Sequence, residues 1–153
     1  MNNWKYKGED VNSIQDMPEG AIGFIYEINS PEGKYLGKKL LVSTRTKKMT
    51  KSQIEQMVDK RKSKKIVTKT ESNWKSYFSS LKDSDLPKRW KSGEVECTRT
   101  ILAYCFSKMD TTYLECKYLF QNGVLESDEY LNANILGKFY NRTMTQKSSE
   151  YAT

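Results

Sequence analysis

Two short apolar runs, each carrying a tyrosine, constrain this chain most. Ala21–Ile28 and Lys34–Leu41 flank the turn signal Ser30, Pro31, Glu32, Gly33. Apolar runs of that length separated by Pro and Gly read as a β-hairpin. Tyr26 lies near the end of the first run and Tyr35 near the start of the second, nine residues on. Two tyrosines on adjacent strands admit two readings, a cross-strand packing pair or a pair of phenols presented for chemistry. The rest of the chain has to separate them.

Charge narrows the partner. The net charge is +7, and of 26 Lys and Arg twelve lie between Lys38 and Lys69, where the acids are Glu55 and Asp59. A solvated helix face mixes signs, so a block this one-sided points to an anionic partner. A polyanionic backbone fits, because each neutralised phosphate releases condensed counterion. Lys38, Lys39, Lys62, Lys64 and Lys65 are the expected phosphate contacts. A membrane surface fits less well, since the block lacks the large apolar face an interfacial helix needs.

Other chemistry is thinly supplied. There is no histidine, and Cys97, Cys105 and Cys116 are odd in number and lack C-x-x-C spacing. Zinc sites and a Cys–His nucleophile are not expected, and free thiols in a reducing cytoplasm are. No run approaches 18 apolar residues and the first residues lack an apolar core, so no membrane contact is expected.

Along the chain, 1–20 is polar and reads as an arm or one short strand. Residues 21–140 read as one domain with a basic helical insertion, and 141–153 as a polar tail. Ser43–Lys51 reads as a loop. A short helix is expected from a cap near Thr50 through Ile54, Met57 and Val58. Lys64–Thr70 alternates basic and β-branched residues and reads as extended. Leu81–Trp90 reads as a polar helix broken near Pro87, and Glu96–Cys105 as the last strand. A helix capped by Asp110 or Thr111 then stops at Asn122 and Gly123. Together these give an α+β domain with a small three-stranded antiparallel sheet flanked by helices. Trp74, Tyr77 and Phe78 interleave with lysine, which suits core packing or base stacking.

Glu115 lies in a mostly apolar helix directly after the last strand, with Leu119 four residues on. It is either a glutamate on the solvated face or a carboxylate on an apolar face, which needs a cation as partner. A helical Glu after the last strand, followed within about twenty residues by Asn132 and Asn134, is the second half of a known pattern. With the two tyrosines, the chain resembles the GIY-YIG nucleases, Phe preceding Ile25 and Tyr26, and Leu36 replacing the second Ile. Ser79 and Ser80 after an aromatic pair, and Leu136–Tyr140, are similar to the free-standing, Seg-type phage homing endonucleases. The similarity spans roughly Ala21 to Tyr140.

That resemblance implies a metal-dependent DNA endonuclease acting on double-stranded DNA with one divalent ion, Mg²⁺ or Mn²⁺. It implies Tyr26 as general base or water-orienting phenol, Tyr35 as its partner, and Glu115 as the metal ligand. An ordinary phenol, with a pKa near 10, needs a neighbouring cation to serve as base at neutral pH. Trp74, Tyr77, Asn132 and Asn134 are the further expected DNA contacts. If phage-encoded, such a protein works in the cytoplasm of an infected bacterium; its oligomeric state is left open.

Two departures stand out. The family's arginine spacing falls on Lys47 and Lys48, leaving Arg61 as the expected phosphate clamp and Arg45 as the alternative. The family's histidine is missing, with Tyr77 or Phe78 in roughly its place. These departures keep a second reading open, a catalytically inactive nucleic-acid-binding module of the same fold.

Overall fold

The computed structural model describes residues 2–82 and 84–140. The hairpin forms as expected: β3 (Gly23–Ser30) pairs antiparallel with β4 (Gly33–Leu40), Tyr26 opposite Gly37 and Ile28 opposite Tyr35. The last strand, Thr98–Cys105, pairs antiparallel with the other side of β3. It skips one residue between Ala103 and Ile101, a bulge that adds twist.

The sheet is larger than expected. Residues 4–11, within the segment read as an arm or one short strand, form two strands, β1 (Trp4–Tyr6) and β2 (Glu9–Val11). β1 runs parallel to the Thr98–Cys105 strand, making a mixed five-stranded sheet instead of a three-stranded antiparallel one. The polar composition of this segment hid one large anchor. Trp4 is buried, its indole N–H donates to the Trp74 carbonyl at 2.7 Å, and its ring meets Phe24 and Tyr26 edge-on.

The basic insertion is also not helical. Val42–Lys48 (β5) and Lys65–Glu71 (β6) form a separate antiparallel ribbon. Between them lies one five-residue helix, α1 (Lys51–Glu55), capped by Thr50 as expected. Ser43–Lys48, read as loop, is therefore strand. Thr44 and Thr46 favour a strand but the interspersed Ser, Arg and Lys do not, and pairing with the β-branched Ile66, Val67 and Thr68 decides the shape.

Pro87 starts a helix where a break was expected. α2 (Leu86–Ser92) has proline in its first turn, where its missing N–H costs nothing, and ends on Gly93 at φ 86°. The last strand is β7 (Thr98–Cys105) and the last helix α3 (Lys108–Gln121). Ser107 caps α3, its hydroxyl accepting from Asp110 N–H, so the helix begins earlier than Asp110 or Thr111 would place it. β8 (Asn134–Ile135) and β9 (Phe139–Tyr140) form a small closing ribbon, and the expected tail 141–153 lies outside the described residues.

Each face of the sheet has its own core. Phe24, Tyr26, Ile28 and Ile101 pack with Trp4, Trp74 and Trp90. On the opposite face Ile25, Leu36 and Cys105 pack with Leu119 of α3 and with Val124. Trp74 is thus a core residue and not the DNA contact expected of it. The cysteines are free, as read from their spacing.

Arg99 of β7 ties the aromatic face together, and nothing in the sequence singled it out. It is 4 % exposed and stacks on Trp4 and Phe78. It donates to the carbonyls of Asn2, Lys75 and Tyr77. Burial pulls its pKa down to about 10, so it stays charged at neutral pH. Arg99→Met keeps the apolar stem but strips three carbonyls of their donor. We expect it to lower the unfolding free energy by about 3 kcal/mol in urea titration. A loss below about 0.5 kcal/mol, the range of an ordinary surface change, would show that other contacts hold residues 74–78.

Candidate active site at the edge of β4

β4 is the edge strand of the sheet, and alternation along it sends neighbouring side chains to opposite faces. Tyr35, Gly37 and Lys39 face the aromatic core, while Leu36 and Lys38 face α3. The exposed edge between these faces opens into a cleft of about 630 Å³ lined by Tyr35, Lys38, Ser80, Lys82, Glu115 and Asn134. Tyrosine and glutamate therefore meet around the strand edge although they lie on opposite sides of the sheet.

On the first face, Tyr26 crosses to β4 and lies over Gly37. A methyl group on Gly37 would sit 2.8 Å from the Tyr26 hydroxyl and 3.1 Å from the Tyr35 ring. Room for this aromatic pair is the reason for glycine here. Tyr35 stacks on Tyr26 at 6.3 Å, and Tyr77 closes over it edge-on at 5.8 Å. Lys39 sits 4.1 Å above the Tyr77 ring and donates to Asn73. Burial holds the Lys39 ammonium pKa below its ordinary value.

The two phenols differ. The Tyr26 hydroxyl is buried and has no hydrogen-bond partner. Burial, and then the phenols of Tyr77 and Tyr35, push its pKa well above 10. The Tyr35 hydroxyl reaches the cleft and shares a hydrogen bond with Ser80 Oγ at 2.9 Å. Burial raises its pKa too, and the Ser80 bond pulls it partly back. Neither phenol is ionised at neutral pH in this arrangement.

On the second face, α3 brings Glu115 to Lys38. The carboxylate is 3.8 Å from the ammonium, with its side chain 19 % exposed. Burial raises the Glu115 pKa, while the Lys38 charge and backbone N–H favour the carboxylate. Lys38 also donates to Thr112 one turn earlier on α3. Among the described residues no three of His, Cys, Asp and Glu gather. A cation held here would have Glu115 as its one carboxylate, with water and phosphate oxygens as further ligands. Mg²⁺ tolerates such a set because it keeps much of its water. The half-buried carboxylate, with only a partly exposed lysine opposing its burial, fits that group.

Several expected contacts stand elsewhere. Asn132 is buried and clamps β4, accepting from Leu36 N–H at 3.1 Å and donating to Leu36 C=O at 2.7 Å. It mimics a neighbouring strand and continues the pairing of Lys34 with Glu129 and Leu131, so it shapes the cleft edge and leaves no amide for DNA. Asn134 lies in the cleft, where its side chain accepts from Gly137 N–H. Arg61 is 94 % exposed beside Asp59, beyond the tip of the β5–β6 ribbon. A seven-residue ladder at about 3.4 Å per residue puts that tip roughly 20 Å from the ribbon's base. Lys62, Lys64 and Lys65 share this tip. Among the described residues no arginine lines the cleft, and Lys38 and Lys82 supply its cations. Lys82 was missed because it stands in a polar stretch; it lines the cleft together with Glu115.

Residues 4–143 match the family described as "Putative endonuclease segE, GIY-YIG domain". No curated protein and no solved structure matches the chain.

Asn132→Ala leaves the Leu36 N–H and C=O without partners at the strand edge. A loss of about 2 kcal/mol in unfolding free energy is expected, from the desolvation cost of unpaired backbone groups. Faster amide exchange at Leu36 should accompany it. Unchanged exchange there would show that the clamp does not protect the edge.

Proposed function

The chain belongs to the GIY-YIG endonuclease domain family, and on that footing we propose that it hydrolyses phosphodiester bonds in double-stranded DNA with one divalent cation. The observation that carries this reading is the meeting of Tyr35, Ser80, Lys38 and Glu115 around the edge of β4, with the orphaned Tyr26 hydroxyl behind them. A packing pair needs no cleft and no half-buried carboxylate. The Tyr26 hydroxyl, unpaired beside the cleft, can take a partner when the site opens.

The scissile phosphate lies along the β4 edge. Lys38 and Lys82 neutralise its oxygens from the protein side, taking the part expected of Arg61. Lys38 moves from Glu115 toward the phosphate, freeing the carboxylate to hold Mg²⁺ or Mn²⁺. Such an ion, when bound, offsets charge on the phosphate and on the departing oxygen. Tyr77 swings off Tyr26, leaving the Tyr26 phenol solvated and ionised beside the cleft's cations. The phenolate takes the proton of an attacking water as the water oxygen bonds to phosphorus and the P–O3′ bond breaks, the departing oxygen drawing its proton from solvent. Tyr35, anchored by Ser80, fixes the orientation of that water. The closed arrangement with raised phenol pKa values is the resting state, since a hydroxyl this buried cannot reach water. The Seg-type resemblance extends the proposal to a phage-encoded, free-standing homing endonuclease. Among the described residues no arginine lines the cleft, which favours one alternative, a DNA-binding module without activity. A chain that binds duplex but never nicks it with Mg²⁺ or Mn²⁺ would establish that alternative.

Plasmid nicking with Mg²⁺, with Mn²⁺ and with EDTA tests the proposal. Glu115→Gln should leave DNA binding nearly intact and reduce cleavage to below about a tenth, as loss of a ligand costs several kcal/mol of transition-state stabilisation. Tyr26→Phe separates packing from chemistry more sharply. The hydroxyl it removes is unpaired, so the melting temperature should hold or rise slightly. Cleavage should fall about a hundredfold, the scale of a positioned acid–base group. Wild-type cleavage by Tyr26→Phe would reduce the tyrosine to a packing residue.

A further inference from the structure

The β5–β6 ribbon has no core of its own. Every residue of Val42–Lys48 is exposed, as is all of Lys65–Glu71 apart from half-buried Ile66. An isolated two-stranded ribbon is marginal in water, so one that keeps both faces bare is built to be covered by a partner. Residues 44–69 carry ten Lys and Arg against Glu55 and Asp59, which selects a polyanion.

The two faces differ. Cross-strand register puts Ser43 beside Thr70 and Arg45 beside Thr68 on one face. Ser43, Arg45, Thr68 and Thr70 line a concave region of about 800 Å³ that Lys39, Asn73 and Lys108 complete, with Val42 and Thr44 of the other face at its border. Lys39 and Tyr35 share one face of β4, so a strand of DNA leaving the catalytic cleft passes Lys39 and reaches Arg45 and Thr68. Glu71, from the other face at the ribbon's base, also borders this region, and its carboxylate accepts from the Trp74 indole.

We propose that the ribbon lies in the major groove of B-form DNA beside the cleavage site, with the Arg45–Thr68 face toward the base edges and the tip lysines on phosphates. The inference rests on the DNA reading above. A major groove about 12 Å wide admits a two-stranded ribbon, and arginine and threonine match its guanine acceptors and thymine methyl. The deep, narrow groove of A-form RNA does not admit one. This gives a domain of this size a means of selecting sequence without a separate recognition module.

Binding of the wild-type chain to duplex DNA in EDTA, followed by fluorescence anisotropy, tests the ribbon independently of cleavage. Methyl green, which fills the major groove, should displace the chain, and netropsin, which fills the minor groove, should not. Replacing 44–69 by Asn-Gly leaves Ser43 and Thr70 flanking a two-residue hairpin turn. That variant should melt near wild type, bind about tenfold or more weakly, and show a log K against log salt slope shallower by two units or more. K62E/K64E/K65E should flatten the slope with equal loss on all sequences, because phosphate contacts do not specify. R45A should keep the slope within about one unit and relax selection at one base pair about tenfold in a random-duplex selection. Displacement by netropsin alone, unchanged affinity of the shortened chain, or no enriched sequence for wild type would each overturn the proposal. A chain that binds in this way but never cleaves would leave the groove assignment standing and remove the nuclease reading.

Discussion

The pairing register of β3 and β4 holds the molecule's chemistry in place. It sets Tyr26 opposite Gly37, where the missing side chain lets the ring lie across the neighbouring strand. A one-residue slip would send every β4 side chain to the other face. Tyr35 would then point at α3, and Lys38 would point into the aromatic core. Glycine is required here for space and not for backbone freedom, since a methyl group would meet ring atoms at van der Waals overlap.

The same strand explains how groups from two separate cores come to one cleft. A central strand would hide Tyr35 from Glu115 behind paired backbone. An edge strand lets the cleft wrap around it. Edges are also liabilities, since unpaired backbone invites another strand. Residues 129–132 cover the first half of this edge and Ser72 holds the Leu40 carbonyl near its end, leaving an opening between. Asn132 closes the covered part with its side chain, so the opening has a defined border.

Charge in the cleft is balanced by exchangeable partners. Glu115 is opposed by one lysine at 3.8 Å, a distance at which the ammonium can leave for a phosphate at small cost. Tyr77 is held over Tyr26 by ring packing and by Lys39 above it, not by a network of buried hydrogen bonds. Arg99, by contrast, is locked by three carbonyls and two rings, and it fixes the backbone on which Tyr77 sits. Rigid support under a cover held by few contacts is what a site that must open requires.

Much of this was legible along the chain. The hairpin, the last strand and the helix bearing Glu115 each announce themselves by local apolar patterning and turn residues, which act over a few positions and need no knowledge of the fold. Tyr26, Tyr35 and Glu115 were picked out by their resemblance to the family pattern, and Lys38 by the one-sided charge of its block. What local pattern does not carry is which backbone pairs with which. Of the strands at Trp4 and Glu9 one was admitted as an alternative to an arm, and their pairing was hidden because Trp4, Tyr6 and Val11 stand among polar residues. Lys65–Glu71 reads as extended from its β-branched alternation, whereas its partner Val42–Lys48 takes its strand character from pairing across more than fifteen residues. Trp74, Asn132 and Arg99 show the same limit from the side of function. An aromatic, an amide and a guanidinium look alike in sequence whether they meet DNA or the protein's own backbone. Residue type and spacing settle which chemistries are available, because they are covalent properties of the chain. Burial and edge position settle which residues are free to use them, because they exist only once distant segments have packed.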